Sequence, residues 1–341
     1  MRVAINGLGR IGRAILKAVT DQPALELVAV NDLADVENLA YLLRFDTVYG
    51  RYANSVTVEG GNLVVAGRRL RTLSSRDPSV LPWKDLGIDF VFECTGALTR
   101  REDLEKHVRA GARFVLLSAP SNDEDVETLV HGANVPGSTS RIISCASCTT
   151  NCITPIVEVV GRRIGFRKAA MTTVHAYTAS QAIVDRPDKR FRRGRAAGAN
   201  LVPATTGAAF ATTRALPEYA KRFDGIAIRV PIPAGSIADL TFLARRETSV
   251  DEVNRILAEE AATPRYAGVL GVSHDPLVSS DIVGDPRASV VDLELTRVID
   301  GDFVKIMSWY DNEWGYAHQM LRAALALTGA PLIHTHHEGL Q

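Results

Sequence analysis

The chain has 341 residues, of which 46% are apolar, and its 39 lysines and arginines are balanced by 39 aspartates and glutamates. A chain of this length can bury a large core and favours two domains, while its balanced charge excludes a general attraction for nucleic acid or an anionic membrane. Because the apolar runs are too short to span a bilayer and the N-terminus enters a strand pattern without a secretory signal, we expect a cytoplasmic protein with reduced cysteines and no membrane or specific nucleic-acid partner.

The first half of the chain alternates short buried strands with helices. Strands are predicted at residues 2–6, 25–31, 89–93 and 113–117, and helices at about 11–19 and 101–110. The stretch between residues 44 and 76 is irregular and leaves room for a hairpin. This alternation is typical of the βαβ units of a parallel sheet, so an α/β domain is predicted.

The second half has longer strands and fewer helices. Strands are predicted at residues 169–174, 225–230, 238–244, 290–298 and 303–310, which indicates an α+β domain with a mainly antiparallel sheet. The boundary between the domains is expected near Cys148. The basic loop at residues 185–195 is interpreted either as a solvated surface or as a contact for an anion or a second subunit.

A glycine pattern follows the first strand. The segment NGLGRIG places Gly7, Gly9 and Gly12 in the G-x-G-x-x-G spacing between a strand and a helix. Such glycines permit a tight turn, a close approach of the backbone to a diphosphate, and close helix packing. Asp32 ends the second strand, where a carboxylate can bind an adenosine ribose. The context favours a Rossmann-type dinucleotide-binding domain over the alternative of a plain turn and a surface aspartate.

The segment SCASCTTNC contains Cys145, Cys148 and Cys152, and the fourth cysteine is Cys94. The spacing partly resembles an iron–sulfur motif, but an apolar helix face begins here, so most of these thiols are interpreted as packing residues. Cys148 differs because the predicted helix begins beside it, and free backbone N–H groups there favour a thiolate. His175 ends a predicted strand and is the leading candidate for its base. No metal site is predicted.

These motifs together resemble the phosphorylating glyceraldehyde-3-phosphate dehydrogenase family, from the first strand to about Leu327. The segments that carry the resemblance are INGLGRIGR, VNDL, ECTGALTRRED, LSAPSND, SCASCTTNC, TVHAYTASQ, RRGRAAGANLVPATTGAA, RVPIP and SWYDNEWGY. The resemblance implies NAD as cofactor and a homotetramer. It also implies a dinucleotide-binding domain at residues 1–147 completed by residues 312–328, a catalytic domain at 148–311, and a tail at 329–341.

The resemblance also assigns roles to individual residues. It makes Cys148 the nucleophile and His175 its base. The residues that match dinucleotide contacts, besides the three glycines, are Arg10, Ile11, Asp32, Arg76, Ser118 and Asn312. The residues that match contacts to the substrate phosphate, the inorganic phosphate or the reacting carbon are Ser147, Thr149, Thr178, Ser180, Arg193, Thr206, Gly207 and Arg229. Arg192 is an alternative to Arg193.

The function that the resemblance implies is the oxidation of glyceraldehyde 3-phosphate to 1,3-bisphosphoglycerate through a thioester. An erythrose-4-phosphate dehydrogenase shares the fold and the nucleophile, and a catalytically silent relative that binds RNA or a protein partner is a further alternative. Two positions depart from the family pattern. Cys145 stands where many members have asparagine, and Ser180 stands where many bacterial members have aspartate.

Overall fold

The computed structural model describes residues 1–135 and 140–327. These residues form two compact units. The first unit comprises residues 1–127, 140–145 and 320–327, and the second comprises residues 128–135 and 146–319. The tail predicted at residues 329–341 lies outside the described residues, and the domain boundaries drawn from the sequence stay predictions.

The first unit is built on a parallel sheet. Its helices are α1 (Arg10–Thr20), α2 (Val36–Arg44) and α3 (Arg101–Arg109). Its strands are β1 (Arg2–Asn6), β2 (Glu26–Asn31), β3 (Phe45–Asp46), β4 (Gly50–Arg51), β5 (Val56–Glu59), β6 (Asn62–Val65), β7 (Arg68–Arg69), β8 (Arg71–Leu73), β9 (Phe90–Glu93), β10 (Phe114–Leu117), β11 (Glu127–Thr128) and β12 (Ile142–Ser144). Over the described ranges, the main sheet has seven strands in the order β11-β12-β10-β9-β1-β2-β8.

The central strands of this sheet are apolar runs because both of their faces are covered. β9 is buried along its whole length, and so are the last four residues of β1. β1 pairs in parallel with β2 and β9, and β10 pairs in parallel with β9 and β12. The predicted parallel sheet is therefore confirmed. The irregular stretch of the sequence holds the antiparallel pairs β3–β4, β5–β6 and β6–β7.

The second unit contains a longer, mixed sheet. Its helices are α4 (Cys148–Arg163), α5 (Ala208–Ala215), α6 (Val250–Ala261) and α7 (Trp314–Ala326), of which α7 continues into the first unit from residue 320. Its strands are β13 (Phe166–Ala176), β14 (Val202–Thr205), β15 (Phe223–Val230), β16 (Ser236–Ala244), β17 (Leu270–Ser273), β18 (Ser289–Ile299) and β19 (Phe303–Tyr310). Within the described part of the chain their order is β14-β15-β13-β16-β19-β18-β17.

Most neighbours in this second sheet are antiparallel, which confirms the mainly antiparallel prediction. The exceptions are the parallel pairs β13–β15 and β17–β18. The short strands β14 and β17 lie at the two edges of the sheet and were not predicted. Helix α4 is buried at every position from Thr149 to Val160, and residues such as Ile153 and Ile156 pack in the apolar core. None of the helices in the described residues is long and apolar enough to cross a membrane.

Candidate active site

The glycine turn joins β1 to α1, and each glycine serves it differently. Gly7 has a φ of +94°, and its N–H donates to the Asn31 carbonyl at 2.8 Å. A Cβ at Gly12 would lie 1.9 Å from the Gly7 carbonyl oxygen, so the close approach of α1 to the turn excludes any side chain there. Gly9 has open space where its Cβ would point. The turn therefore combines tight packing at two positions with an open approach at the third.

The residues at the start of α1 fit the diphosphate of a dinucleotide. Gly9 is the N-cap residue, and no side chain makes a capping hydrogen bond there. An α-helix begins with backbone N–H groups that lack intrahelical acceptors, and its dipole favours an anion. The Arg10 side chain is paired with Asp46 at 2.5 Å, and Ile11 is half-buried. Contacts from Arg10 and Ile11 to a diphosphate would therefore come from their backbone groups.

The other predicted cofactor residues of this unit follow neighbouring strands. Asp32 comes directly after β2, and its two carboxylate oxygens accept from the backbone N–H groups of Leu8 at 2.6 Å and Ala34 at 2.9 Å. Ser118 follows β10, and its hydroxyl bonds to the Cys94 thiol. Arg76 is exposed. The carboxyl ends of parallel strands are where such folds bind ligands, and Asp32 and Ser118 both follow such ends.

In the second unit, the thiol of Cys148 lies at the first residue of α4. Ser147 is the N-cap residue, and its hydroxyl accepts from the Thr150 N–H at 3.2 Å. Ala146, just before it, adopts a left-handed conformation with a φ of +54°, and its carbonyl accepts from the Tyr316 hydroxyl at 2.9 Å. The thiol sulfur lies 3.4 Å from Nε2 of His175, at the end of β13. The predicted nucleophile and base therefore meet, although 27 residues separate them.

The second nitrogen of His175 is held by the backbone. Nδ1 lies 2.6 Å from the Ala176 carbonyl oxygen and 2.5 Å from Nη1 of Arg229, near the end of the neighbouring strand β15. The same Nη1 donates to the Ala176 carbonyl at 3.1 Å. When Nδ1–H donates to the carbonyl, Nε2 presents its lone pair to the thiol. Burial and the charge of Arg229 lower the pKa of His175 to about 3. Burial also raises the pKa of Cys148, and Arg229 opposes that shift. Both shifts favour a neutral thiol and a neutral imidazole over the charged pair.

Burial dominates the surroundings of the remaining cysteines. Burial raises the pKa of Cys145 and of Cys152 to about 12, and it raises the pKa of Cys94 as well. The Cys152 sulfur lies 3.8 Å from the Ser289 hydroxyl, inside the core. Among the described residues, no three or more histidine, cysteine or acidic side chains form a group that could hold a metal.

A hydroxyl chain connects three of the predicted anion-binding residues. Arg193 Nη1 donates to the Ser180 hydroxyl at 2.9 Å, and Ser180 in turn lies 2.9 Å from the Thr178 hydroxyl. Arg193 is half-buried, and its pKa is lowered by burial and by the charges of Arg190 and Arg229, whereas Arg192 is exposed. The structure thus brings Arg193 rather than Arg192 to Ser180.

The other predicted substrate residues are placed differently. The Thr206 hydroxyl accepts from the Ala208 N–H at 3.1 Å, and the exposed Gly207 is the N-cap of α5. The Thr149 hydroxyl is buried against Tyr310 at 2.8 Å, and Tyr310 also bonds to Thr173 at 2.8 Å. Thr149 therefore joins a buried hydroxyl chain behind the thiol. The sequence prediction did not include Tyr310, although it lies in the quoted segment SWYDNEWGY.

Asn312 is oriented by a serine that the sequence prediction also missed. The Ser236 hydroxyl accepts from the Ala176 N–H at 3.1 Å and donates to Asn312 Oδ1 at 3.0 Å. Because Oδ1 accepts this bond, the amide nitrogen of Asn312 is directed the other way. A lone serine two residues before a predicted strand carries no signal in the sequence that would have identified it.

A parallel sheet with a glycine turn at its ligand-binding edge, together with a cysteine–histidine pair at a helix start, defines a nucleotide-dependent dehydrogenase that uses a cysteine nucleophile. Residues 1–101 match the glyceraldehyde 3-phosphate dehydrogenase NAD binding domain, and residues 147–312 match the glyceraldehyde 3-phosphate dehydrogenase C-terminal domain.

Individual proteins of the same kind are similar over nearly the whole chain. Glyceraldehyde-3-phosphate dehydrogenase 2 of Streptomyces avermitilis is 46% identical over 94% of this chain and 96% of its own length. The enzyme of Geobacillus stearothermophilus is 46% identical, and glyceraldehyde-3-phosphate dehydrogenase 1 of Bacillus subtilis is 44% identical, each over 95% of this chain and 97% of its own length. The chain belongs to the phosphorylating glyceraldehyde-3-phosphate dehydrogenase family, whose activity is that of an NAD-dependent oxidoreductase.

Proposed function

We propose that the protein oxidises D-glyceraldehyde 3-phosphate with NAD and inorganic phosphate to 1,3-bisphosphoglycerate, through a thioester on Cys148. The observation that carries this proposal is the 3.4 Å contact between the Cys148 sulfur and His175 Nε2 at the start of α4. A thiol becomes an effective nucleophile when a base or a helix N-terminus stabilises its thiolate, and both are present here. The other three cysteines are packing residues in this account.

The residues of the second unit account for the proton and charge movements. His175 Nε2 takes the Cys148 proton as the sulfur bonds to the aldehyde carbon, whose carbonyl π electrons become an oxyanion. The Cys148 N–H at the helix start and the protonated His175 stabilise that oxyanion, and His175 then transfers its proton to it, which gives a hydroxyl. His175 then accepts the hydroxyl proton as the carbonyl reforms and the hydride leaves the carbon. The bound nicotinamide supplies the hydride acceptor. Inorganic phosphate then attacks the thioester, and the Cys148 sulfur departs as a thiolate.

The anion contacts are assigned from charge and donor direction. Arg229 is bonded to a carbonyl and lies beside a neutral imidazole, so its charge is available to the substrate phosphate. An arginine can only donate, so Ser180 accepts from Arg193 and its own proton points to Thr178. The Thr178 proton is then left to bond the substrate phosphate. Arg193, which is bonded to Ser180, serves the same substrate phosphate. Ser147, Thr149, Thr206 and Gly207 are assigned to the surroundings of the reacting carbon and to the inorganic phosphate.

The cofactor contacts are assigned in the same way. Gly7, Gly9, Gly12, Arg10 and Ile11 form the turn and helix start that take the diphosphate. Arg76 and Ser118 flank this edge, and Asn312 directs its amide nitrogen to the nicotinamide carboxamide, an orientation that its bond from Ser236 supports.

We further propose that NAD is preferred over NADP. Asp32 is held at the end of β2 by two backbone N–H groups, and its neighbour Leu33 has an exposed apolar side chain. A carboxylate repels a 2′-phosphate, and discrimination of roughly 2 kcal/mol is expected for like charges in a partly desolvated groove. The ratio of kcat/KM for NAD to that for NADP should therefore fall about thirtyfold in Asp32→Asn. An unchanged ratio would show that Asp32 does not determine the choice between NAD and NADP.

A cytoplasmic homotetramer is the proposed form of the enzyme. Phe191 in the basic loop and Ile183 and Val184 just before it have exposed apolar side chains, which a second copy of the chain would cover. Light scattering should give four times the mass of one chain. The Phe191→Ser variant should give a lower mass by light scattering.

A coupled assay tests the proposed reaction. NADH formation is followed with glyceraldehyde 3-phosphate or erythrose 4-phosphate, each with and without inorganic phosphate. Steady turnover that requires both glyceraldehyde 3-phosphate and inorganic phosphate supports the proposal. Faster turnover of erythrose 4-phosphate, or turnover that ignores inorganic phosphate, would contradict it.

A further inference from the structure

A buried carboxylate lies at the ligand-binding edge of the first unit and has no role in the account above. Glu93 ends β9, pairs in register with Asn6 of β1, and is fully buried. Its Oε2 accepts from Asn6 Nδ2 at 2.5 Å and from His107 Nε2 at 3.1 Å. Its Oε1 accepts from the Thr95 N–H at 2.8 Å and from the Thr95 hydroxyl. The carboxylate therefore joins two buried side chains to the turn that follows its own strand.

The direction of these hydrogen bonds follows from their outer partners. Trp83 Nε1 can only donate, and it lies 2.9 Å from His107 Nδ1, so the imidazole carries its proton on Nε2 and donates to Glu93. Asn31 Nδ2 donates to Asn6 Oδ1 at 2.7 Å, so Asn6 presents its amide nitrogen to Glu93. Each side chain that hydrogen-bonds to the carboxylate is thus a donor. A carboxylate this well satisfied is a rigid anchor.

What the anchor holds is the turn beside the glycine loop. A Cβ on Gly7 would lie 2.8 Å from the Thr95 nitrogen and 2.9 Å from its Cα, so the two turns are in direct contact. The Thr95 hydroxyl also accepts from the Ala97 N–H at 3.2 Å, which fixes the next residues. On the opposite side of β1, Asp32 bonds to Leu8. The glycine loop is therefore held from both sides, by a carboxylate on β2 and by the Thr95 turn on β9.

The two sides correspond to the two halves of a dinucleotide. In a doubly wound sheet, the diphosphate lies at the glycine loop, and the acidic residue after the second strand takes the adenosine ribose. The second mononucleotide then lies on the other side of the first strand, which here is the side of β9 and β10. We propose that Glu93 is a positioning residue for this second half, because it fixes the Thr95–Ala97 turn against Gly7. This inference rests on the proposed dinucleotide binding.

The test compares ligands that occupy different halves of the site. Dissociation constants of AMP, ADP-ribose and NAD are measured by calorimetry for the wild type and for Glu93→Gln, which keeps the shape but replaces one acceptor with a donor. The matched control is Glu26→Gln, at the exposed start of β2. We expect Glu93→Gln to weaken ADP-ribose and NAD about tenfold or more, because hydrogen bonds from a charged anchor are lost, and to leave AMP within twofold. Glu26→Gln should change none of them.

Hydrogen exchange provides a second readout that needs no ligand. The Thr95 amide, which Glu93 protects in the wild type, should exchange faster in Glu93→Gln. Should that variant fail to fold, Thr95→Val keeps the volume and the backbone N–H while removing the hydroxyl, and it should also weaken NAD more than AMP.

Equal weakening of AMP and NAD in the folded variant would show that Glu93 merely stabilises the unit, and unchanged binding of all three ligands would likewise overturn the proposal. If the wild type bound NADP in preference to NAD, the dissociation constants would be measured for the 2′-phosphorylated forms of the three ligands. The proposed preference for NAD and the proposed positioning role of Glu93 can therefore be refuted independently.

Discussion

The glycine turn of the first unit and the thiol site of the second unit both form where strands end, but they are assembled in different ways. Gly7, Gly9 and Gly12 lie on one short segment, and their function is to leave space for backbone and ligand. Cys148, His175 and Arg229 come from α4, β13 and β15, and their function depends on protons and charge. The glycine turn should therefore be sensitive to substitutions that add volume. The thiol site should be sensitive to substitutions that keep the volume of a side chain but change its charge or its proton.

The largest effect is expected at the nucleophile. Cys148→Ser is nearly isosteric but removes the thiolate, so kcat should fall by about three or more decades. NAD binding, measured by calorimetry, should stay within twofold of the wild type. Cys152→Ser, one helical turn away, is the matched control and should keep most of the activity. A Cys148→Ser enzyme that retained more than a tenth of the rate would contradict the assignment of Cys148 as the nucleophile.

The next largest effect is expected at the anion site. Arg229→Ala should lower kcat/KM for glyceraldehyde 3-phosphate by about 100-fold, because a charge-assisted contact to the phosphate is lost. Unphosphorylated glyceraldehyde, which has no phosphate to bind, should lose much less, and the residual loss measures the contact of Arg229 with His175. Arg192→Ala, on the exposed neighbour of Arg193, should leave both substrates nearly unchanged. If both aldehydes lost activity equally in Arg229→Ala, the arginine would act only through the base.

At the glycine turn the expected effects are smaller and steric. Gly12→Ala forces a Cβ to within 1.9 Å of the Gly7 carbonyl oxygen, so we expect a loss of about 1–3 kcal/mol in stability and a loss of NAD binding. Gly9→Ala meets open space and should leave the melting temperature nearly unchanged. Thermal unfolding with and without NAD measures both effects. Equal destabilisation by the two alanines would contradict the different roles assigned to them.

Sequence patterns predicted the site of the first unit better than the site of the second, because the first lies on one short segment and the second joins distant segments. The alternation of apolar runs with helices predicts a parallel sheet, and a glycine turn is a local feature that spacing alone can indicate. The contact between Cys148 and His175 joins distant segments, so the sequence could offer His175 only as a candidate, from its place at a strand end, and the resemblance to a known family added its role. Ser236, Tyr310 and Glu93 were missed because each acts through hydrogen bonds that exist only in the folded chain.

The smallest effect is expected at Ser180. Removing its hydroxyl breaks the chain from Arg193 to Thr178, which should cost about 1 kcal/mol, or about a fivefold rise in KM for glyceraldehyde 3-phosphate. Ser180→Ala should not change the kinetics with unphosphorylated glyceraldehyde, whereas Ser180→Thr, which keeps a hydroxyl, should restore most of the affinity. Equal impairment with both aldehydes would assign Ser180 to the support of the loop instead of the substrate phosphate.

The most direct test of the central claim is to trap the acyl enzyme. The protein is mixed with glyceraldehyde 3-phosphate and NAD in the absence of inorganic phosphate, quenched in acid, digested, and examined by mass spectrometry. The account predicts one equivalent of NADH and a 3-phosphoglyceroyl group on the peptide that contains Cys148, with Cys148 itself as the modified residue in fragment spectra. An adduct on Cys145 or Cys152, or a full equivalent of NADH without any adduct, would contradict it.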